Sequence, residues 1–371
     1  MKRLVLLAAL AACGDNHAAA IDGAPMPDTM IDAYPADHSV EQPGMYAAGT
    51  TRFTAHDDAT GRDLVMQAWY PTSAVATATP IQNLEDAHLA DYATLLGSAP
   101  AACPTRMVTV AIDAPVATGT FPLVAFSHCH DCTRLSNAST AERMATHGFI
   151  VVAVDHAGNT LWDHLNGIEA NLDAAELDVR AGDVSFAIDT MLAGTFAASI
   201  DPAKIGVFGH SFGSVTAGRV AELDPRIQAV GALCAPIDNP LVTGVMSADV
   251  PQPILFMEME EDNSILSIGN FYIDKNYQDA PGEAWEVTIP DAGHWSVSDL
   301  DGLVDIFAPG CGDGVRQTTG DDFTYLDPAT GRGITAAYVT AFFKATLLGD
   351  QGAAAYLVQS TPPNLFLQHH H

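Results

Sequence analysis

The chain has 371 residues, 48% of them hydrophobic, and a formal charge of −30 from 45 acidic against 15 basic residues. That length suits one large α/β domain with additions or two small domains, and the apolar content is ample for a core. The acidity excludes nucleic acid and an anionic membrane surface as electrostatic partners.

Met1-Lys2-Arg3 is a short basic start, and Leu4–Leu10 is an apolar run too short to span a bilayer. Leu10-Ala11-Ala12-Cys13 resembles a bacterial lipobox. The resemblance implies removal of residues 1–12 and lipidation of Cys13, with a plain secretory signal ending near Ala12 as the alternative. Lipid chains then hold an exported protein at the outer membrane, periplasm or cell surface without a transmembrane helix. Gly14, where an Asp would signal inner-membrane retention, leaves that signal out. Residues 13–48 lack Lys and Arg, repeat Ala, Asp and Pro, and show no apolar periodicity, so they are expected to form a solvated tether. Their Asp residues lack the loop glycine and closing Glu of a calcium hand.

The main domain is expected over residues 49–358. Thr51–Ala55 and Leu64–Tyr70 read as strands joined by the turn from Asp57 to Arg62. Residues 72–104 form an insertion with a helix over Glu85–Leu96. Val108–Ile112 and the apolar Phe121–Ser127 are further strands, the second of a buried parallel type. A helix over Thr140–His147 stops at Gly148, and the strand Phe149–Val154 follows. Glu176–Leu192 is a helix with Val184, Ile188, Met191 and Leu192 on one face. Ile205–Phe208, Ile227–Leu233, Pro253–Met257 and Trp285–Ile289 complete the strands. Thr335–Leu348 closes the domain as an amphipathic helix, and 359–371 is a C-terminal tail. Alternating strands and helices predict a mostly parallel central sheet covered by helices on both faces, with any site at the strands' carboxyl ends.

One stretch organises the rest. Gly209-His210-Ser211-Phe212-Gly213 follows the apolar Ile205–Phe208 and fits G-x-S-x-G, the strand-to-helix turn that presents a nucleophilic serine. The turn leaves no room for side chains two before and two after the serine. It also frees the Phe212 N–H at the helix start to face an oxyanion.

A serine hydroxyl needs a base, and the base needs a carboxylate to orient it. In this kind of fold the chain order is Ser, acid, His. After Ser211, His294 is the only His ahead of the terminal His369–His371, and it lies in a loop beyond the last strand. Asp262 is the favoured acid, a few residues past the Pro253–Met257 strand. Glu260, Glu261 and Asp238 stay as alternatives. The second oxyanion N–H is expected from the loop after Phe121–Ser127, at His130, or at Cys129 if the loop shifts.

Phe121–His128, His147–His156, Asp201–Gly213 and Gly293-His294 together resemble the predicted dienelactone hydrolases, a group near the platelet-activating-factor acetylhydrolases and bacterial cutinase-like polyester hydrolases. The resemblance runs from about residue 50 to 358 and implies an α/β-hydrolase fold without a cofactor. True dienelactone hydrolases use a Cys nucleophile, and Ser211 stands here instead. In the loop after Phe121–Ser127, where lipases and esterases often carry His-Gly, this chain has His128-Cys129. The acetylhydrolases' acid aligns with Cys234 or Ala235, and cutinase-like enzymes place an Asp where Asp262 falls.

Besides Cys13 there are Cys103, Cys129, Cys132, Cys234 and Cys311. Export permits disulfides, and five cysteines leave at least one free thiol. A Cys129–Cys132 bridge is one candidate, and the partner of Cys311 stays open. His128-Cys129-His130-Asp131-Cys132 has metal-ligand types but no second ligand pair at a distance, so no metal is expected. The reading is a lipid-anchored serine hydrolase of ester substrates, small or polymeric, with Phe126, Phe212 and Trp295 either lining an apolar cleft or buried as core. An amidase or exopeptidase with the same triad, and a non-catalytic binding module, are the alternatives.

Overall fold

The computed structural model describes residues 34–85, 87–103, 106–262, 264, 268–303, 310–359 and 365–371. The expected signal segment, Cys13 and the first part of the tether lie outside the described residues. In chain order come β1 (Ala47–Asp57), β2 (Arg62–Thr72), β3 (Thr77–Pro80), α1 (Leu89–Ser98), β4 (Met107–Ile112), β5 (Phe121–Ser127), α2 (Ala138–Thr146), β6 (Ile150–Val154), α3 (Leu161–Leu165) and α4 (Ala174–Ala193). Then follow β7 (Ile200–His210), α5 (Phe212–Leu223), β8 (Ile227–Leu233), β9 (Ile254–Met259), α6 (Ile268–Asp279), β10 (Ala284–Ile289), β11 (Asp313–Val315), β12 (Asp322–Thr324), α7 (Pro328–Leu348), α8 (Gln351–Val358) and β13 (Phe366–His370).

Eleven strands form one sheet in the order β13-β10-β9-β8-β7-β5-β6-β2-β1-β4-β3. The run from β10 to β6 is parallel throughout. Every position of β5 and β6 is buried, as strands covered on both faces require. The period-2 alternation sorts these side chains into two cores. Val124, Phe126 and Phe208 pack with Met144 of α2 and Phe342 of α7. Leu123, Ala125 and Val207 pack on the other face with Val184 of α4 and Val215 of α5.

Four expectations change. The insertion's helix starts at Leu89 rather than Glu85, because Glu85 is drawn inward as the buried ion-pair partner of Arg134 at 2.8 Å. The closing helix starts at Pro328 rather than Thr335, with Asp327 capping Thr330 N–H at 2.9 Å. Gly331 breaks the apolar pattern there, and it lets the helix approach the 294 loop: a Cβ would stand 2.7 Å from Ser296 O. The expected tether is packed before residue 48, since Val40 is buried and Asp37 is paired with Lys344. Within the expected tail, residues 366–370 pair antiparallel with β10 as an edge strand.

Candidate active site

All five described non-glycine residues with positive φ follow strand carboxyl ends, and four of them, Asp131, Ser211, Cys234 and Asp291, lie after the parallel strands β5, β7, β8 and β10. Strained backbone gathered in this way marks the region where the fold holds side chains in imposed positions. Ser211 stands at the centre, between β7 and α5, at φ 57° and ψ −122°. Its N–H is held by Leu233 O at 2.8 Å. The turn is closed from both sides. A Cβ on Gly209 would meet Gly213 O at 1.9 Å, and one on Gly213 would meet Ser127 O at 2.0 Å. This contact seats the elbow against the end of β5 and the loop that follows it. Phe212 is the first residue of α5, so its N–H lacks an intrahelical acceptor.

β9 and β10 run side by side and deliver Asp262 and His294 to neighbouring loops. Asp262 Oδ2 lies 2.6 Å from His294 Nδ1. The Ser264 hydroxyl reaches Asp262 Oδ1 at 2.7 Å and His294 Nδ1 at 3.1 Å. Burial pushes the Asp262 carboxyl up, but the adjacent His294, its hydrogen bond and the Ser264 donors outweigh this and hold it below the usual carboxylate range. The His294 carbonyl accepts from His210 Nε2 at 2.9 Å, which ties the base loop to the residue before Ser211. No hydrogen bond joins Ser211 Oγ to His294. Without substrate, nucleophile–base contacts of this kind are often long.

The other carboxylates are engaged elsewhere. Asp238 Oδ2 accepts from Ser247 N–H at 3.2 Å. Glu261 Oε1 pairs with Arg316 at 2.8 Å, and Glu260 Oε2 accepts from Asp291 N–H at 3.1 Å. Beneath the site Cys234 is a free, buried thiol, and burial raises it well above its ordinary value, so it stays protonated.

Cys129 and Cys132 are joined in a disulfide that encloses His130 and Asp131, and Cys103 is joined to Cys311. Bonded to each other, Cys129 and Cys132 are not available as metal ligands. His130 Nδ1 accepts from Asn159 Nδ2 at 2.7 Å, and its ring centroid is 6.2 Å from that of Phe212. The side-chain rings of the two expected oxyanion residues are thus neighbours. Phe126, Phe212 and Trp295 are core side chains, 2%, 4% and 7% exposed, so they do not line an open cleft.

Sequence reasoning misses a second Ser-His-Asp set. Ser127 Oγ is 2.9 Å from His156 Nε2, and His156 Nδ1 is 3.0 Å from Asp183 Oδ2. All three are 0–1% exposed, and burial keeps His156 well below its ordinary range. Ser127 ends a regular strand and is sealed, whereas Ser211 is partly exposed on a strained turn. The inner set is therefore framework. Arg180, also missed, sits at its side and reaches the loop carrying His130. A sequence signal for it existed: a charged residue on the apolar face of the α4 helix.

No family model matches the chain. It is 26% identical over 192 residues to a platelet-activating factor acetylhydrolase of Canis lupus familiaris, across 40% of this chain and 42% of that protein. It is 30% identical over 203 residues to cutinase est2 of Thermobifida alba, across 52% and 62%. The chain thus spans less than half the length of the acetylhydrolase. The structure of a ferulic acid esterase from Streptomyces cinnamoneus matches 90% of this chain and 98% of its own, with TM-score 0.64 at 22% identity, a likeness of fold.

Proposed function

We propose that this chain, an α/β-hydrolase by fold that groups in sequence with esterases, is an exported, lipid-anchored serine hydrolase of carboxylic esters. One observation carries the reading: a strained, partly exposed Ser211 and a buried Asp262–His294 pair sit at the carboxyl ends of one parallel sheet, with the His294 carbonyl tied to His210, the residue before Ser211. His294 Nε2 takes the Ser211 proton as Oγ attacks the ester carbonyl carbon. The N–H groups of Phe212 and His130 receive the oxyanion. The tetrahedral adduct collapses, the carbon–oxygen bond to the alcohol breaks, and His294 returns its proton to the leaving oxygen. Water then attacks the acyl-enzyme with His294 again as base; the bond to Ser211 Oγ breaks, His294 returns the proton to that oxygen, and the acid departs. Asp262 holds the His294 tautomer and offsets its charge.

Lipid-like esters or polyesters are the proposed substrates. Leu165, Ile168 and Leu172 are exposed on the segment that follows the oxyanion loop in space, where His164 Nδ1 lies 3.2 Å from Asp131 Oδ2. These exposed apolar side chains and the names of the sequence relatives support the choice. Two disulfides support an oxidising compartment. Anchoring rests on Cys13, and Cys13→Ser should move the protein from the membrane to the soluble fraction of the producing cells. For activity, the full chain and Ser211→Ala are compared on p-nitrophenyl esters from acetyl to palmitoyl. Turnover that vanishes in the variant is expected. Equal silence of both proteins across the panel would sink the esterase reading and direct attention to amides.

A further inference from the structure

Arg180 is wholly buried on α4, yet its hydrogen bonds go to uncharged oxygens. Nη2 donates to the His128 carbonyl, and Nη1 donates to Asn159 Oδ1. Nε donates to Thr216 Oγ1 at 3.2 Å, and the guanidinium carbon sits 4.6 Å above the Phe212 ring. Asn159 in turn donates to His130 Nδ1 at 2.7 Å. Burying a guanidinium without a hydrogen-bonded carboxylate is costly, and it draws the Arg180 pKa down to about 9, chiefly by desolvation. A leucine would fill this space without that cost.

What the charge holds is specific. The His128 carbonyl fixes the peptide plane that leads into Cys129 and His130. The Phe212 ring and the His130 ring fix the two residues assigned the oxyanion N–H groups. We propose that Arg180 is the positioning residue of the oxyanion hole: through its planar fork it sets both donors at once, and its charge lies behind the place where negative charge develops. This rests on the esterase reading above. A planar, five-donor fork does this and a lysine ammonium does not, because the acceptors lie in different directions. Preorganised donors act on the transition state, so the effect belongs in kcat rather than KM.

The test compares wild type, Arg180→Lys and Asn159→Ala on a p-nitrophenyl ester, with melting temperatures and the rate of Ser211 modification by a p-nitrophenyl phosphonate. Removing one oxyanion donor costs about 100-fold to 1,000-fold in kcat. Misaligning donors in Arg180→Lys should cost about 30-fold, and in Asn159→Ala about tenfold, with KM within threefold and phosphonylation slowed in parallel. A residue that only holds the core would leave kcat of the folded variants unchanged, and that result overturns the proposal. If Arg180→Lys does not fold, Asn159→Ala alone decides, because it cuts the link that runs from Arg180 Nη1 through Asn159 to His130 and leaves the other Arg180 hydrogen bonds in place. A wild type without Ser211-dependent turnover overturns the esterase reading and this inference with it. An active wild type with unimpaired variants overturns this inference alone.

Discussion

Asp262 Oδ2 lies 2.6 Å from His294 Nδ1, and both side chains are almost wholly buried. At that distance in a closed environment the carboxylate dictates which ring nitrogen carries the proton, leaving Nε2 free to accept. Asp262→Asn presents a donor to a donor and reverses the tautomer. We expect kcat to fall by about 10⁴ with the fold intact. Glu261→Gln and Asp238→Asn, whose side chains face other partners, should keep kcat within a few-fold. Wild-type turnover in Asp262→Asn would remove it as the acid.

Arg316 crosses between the acid loop and the base loop. It pairs with Glu261 at 2.8 Å and also with Asp291, while Gln317 Nε2 donates to Asp262 O at 2.8 Å. Arg316→Ala should leave Tm nearly unchanged, since the arginine is partly exposed. It should lower kcat by about tenfold, because small displacements of a base are costly. A kcat equal to wild type would show that the two loops hold their geometry without the bridge.

How much of this was legible in the sequence follows from the range of the forces involved. The strand Phe121–Ser127, the elbow and the candidate residues Asp262 and His294 are local signals: an apolar run, two glycines, a loop after a strand. Their spatial pairing agrees with chain order because parallel strands bring their carboxyl ends together. Arg180, His156, Asp183 and Arg316 are legible only through partners 21 to 121 residues away, as in Arg180 with Asn159 or Asp183 with Arg62. Composition carries no trace of such pairings. The early start of the closing helix was hidden by Gly331, whose small size serves a tertiary contact with Ser296 rather than a turn.

The elbow's glycines make a sharper stability test than any apolar substitution. In Gly213→Ala the new Cβ meets two backbone oxygens, Ser127 O at 2.0 Å and His128 O at 2.8 Å, and neither belongs to a flexible side chain. The β5 end and α5 must part, at a cost of more than about 3 kcal/mol. Gly182 on α4 has nothing within 4 Å of its Cβ position. Gly182→Ala should therefore stabilise, by about 0.5–1 kcal/mol through helix propensity. Denaturant titration of the pair checks both signs, and a fully stable Gly213→Ala would mean that the elbow can open without loss of packing.

The acidic cluster at the far end of the sheet gives a pH dependence with a definite sign. Carboxylate oxygens of Glu258, Asp274 and Glu286 lie within 4.8 Å of one another. Burial, then neighbouring Asp274 and Glu258, pushes Glu286 up to about 8, from an ordinary value of 4.5. Gln368 Nε2 donates to its Oε2 at 2.9 Å, which lowers the cost of enclosing it without providing charge. Between about pH 4.5 and 8 the folded chain thus keeps a proton on Glu286 that the unfolded chain has released. Stability from this group is full at the low end of that window and is lost as pH rises through it. Glu286→Gln removes the titration while keeping the shape. The variant should match wild type near pH 4.5 and exceed it above pH 8 by on the order of 3 kcal/mol. Urea unfolding of both proteins across that range is the check. A stability difference that does not change with pH would mean that Glu286 titrates alike in the folded and unfolded chain.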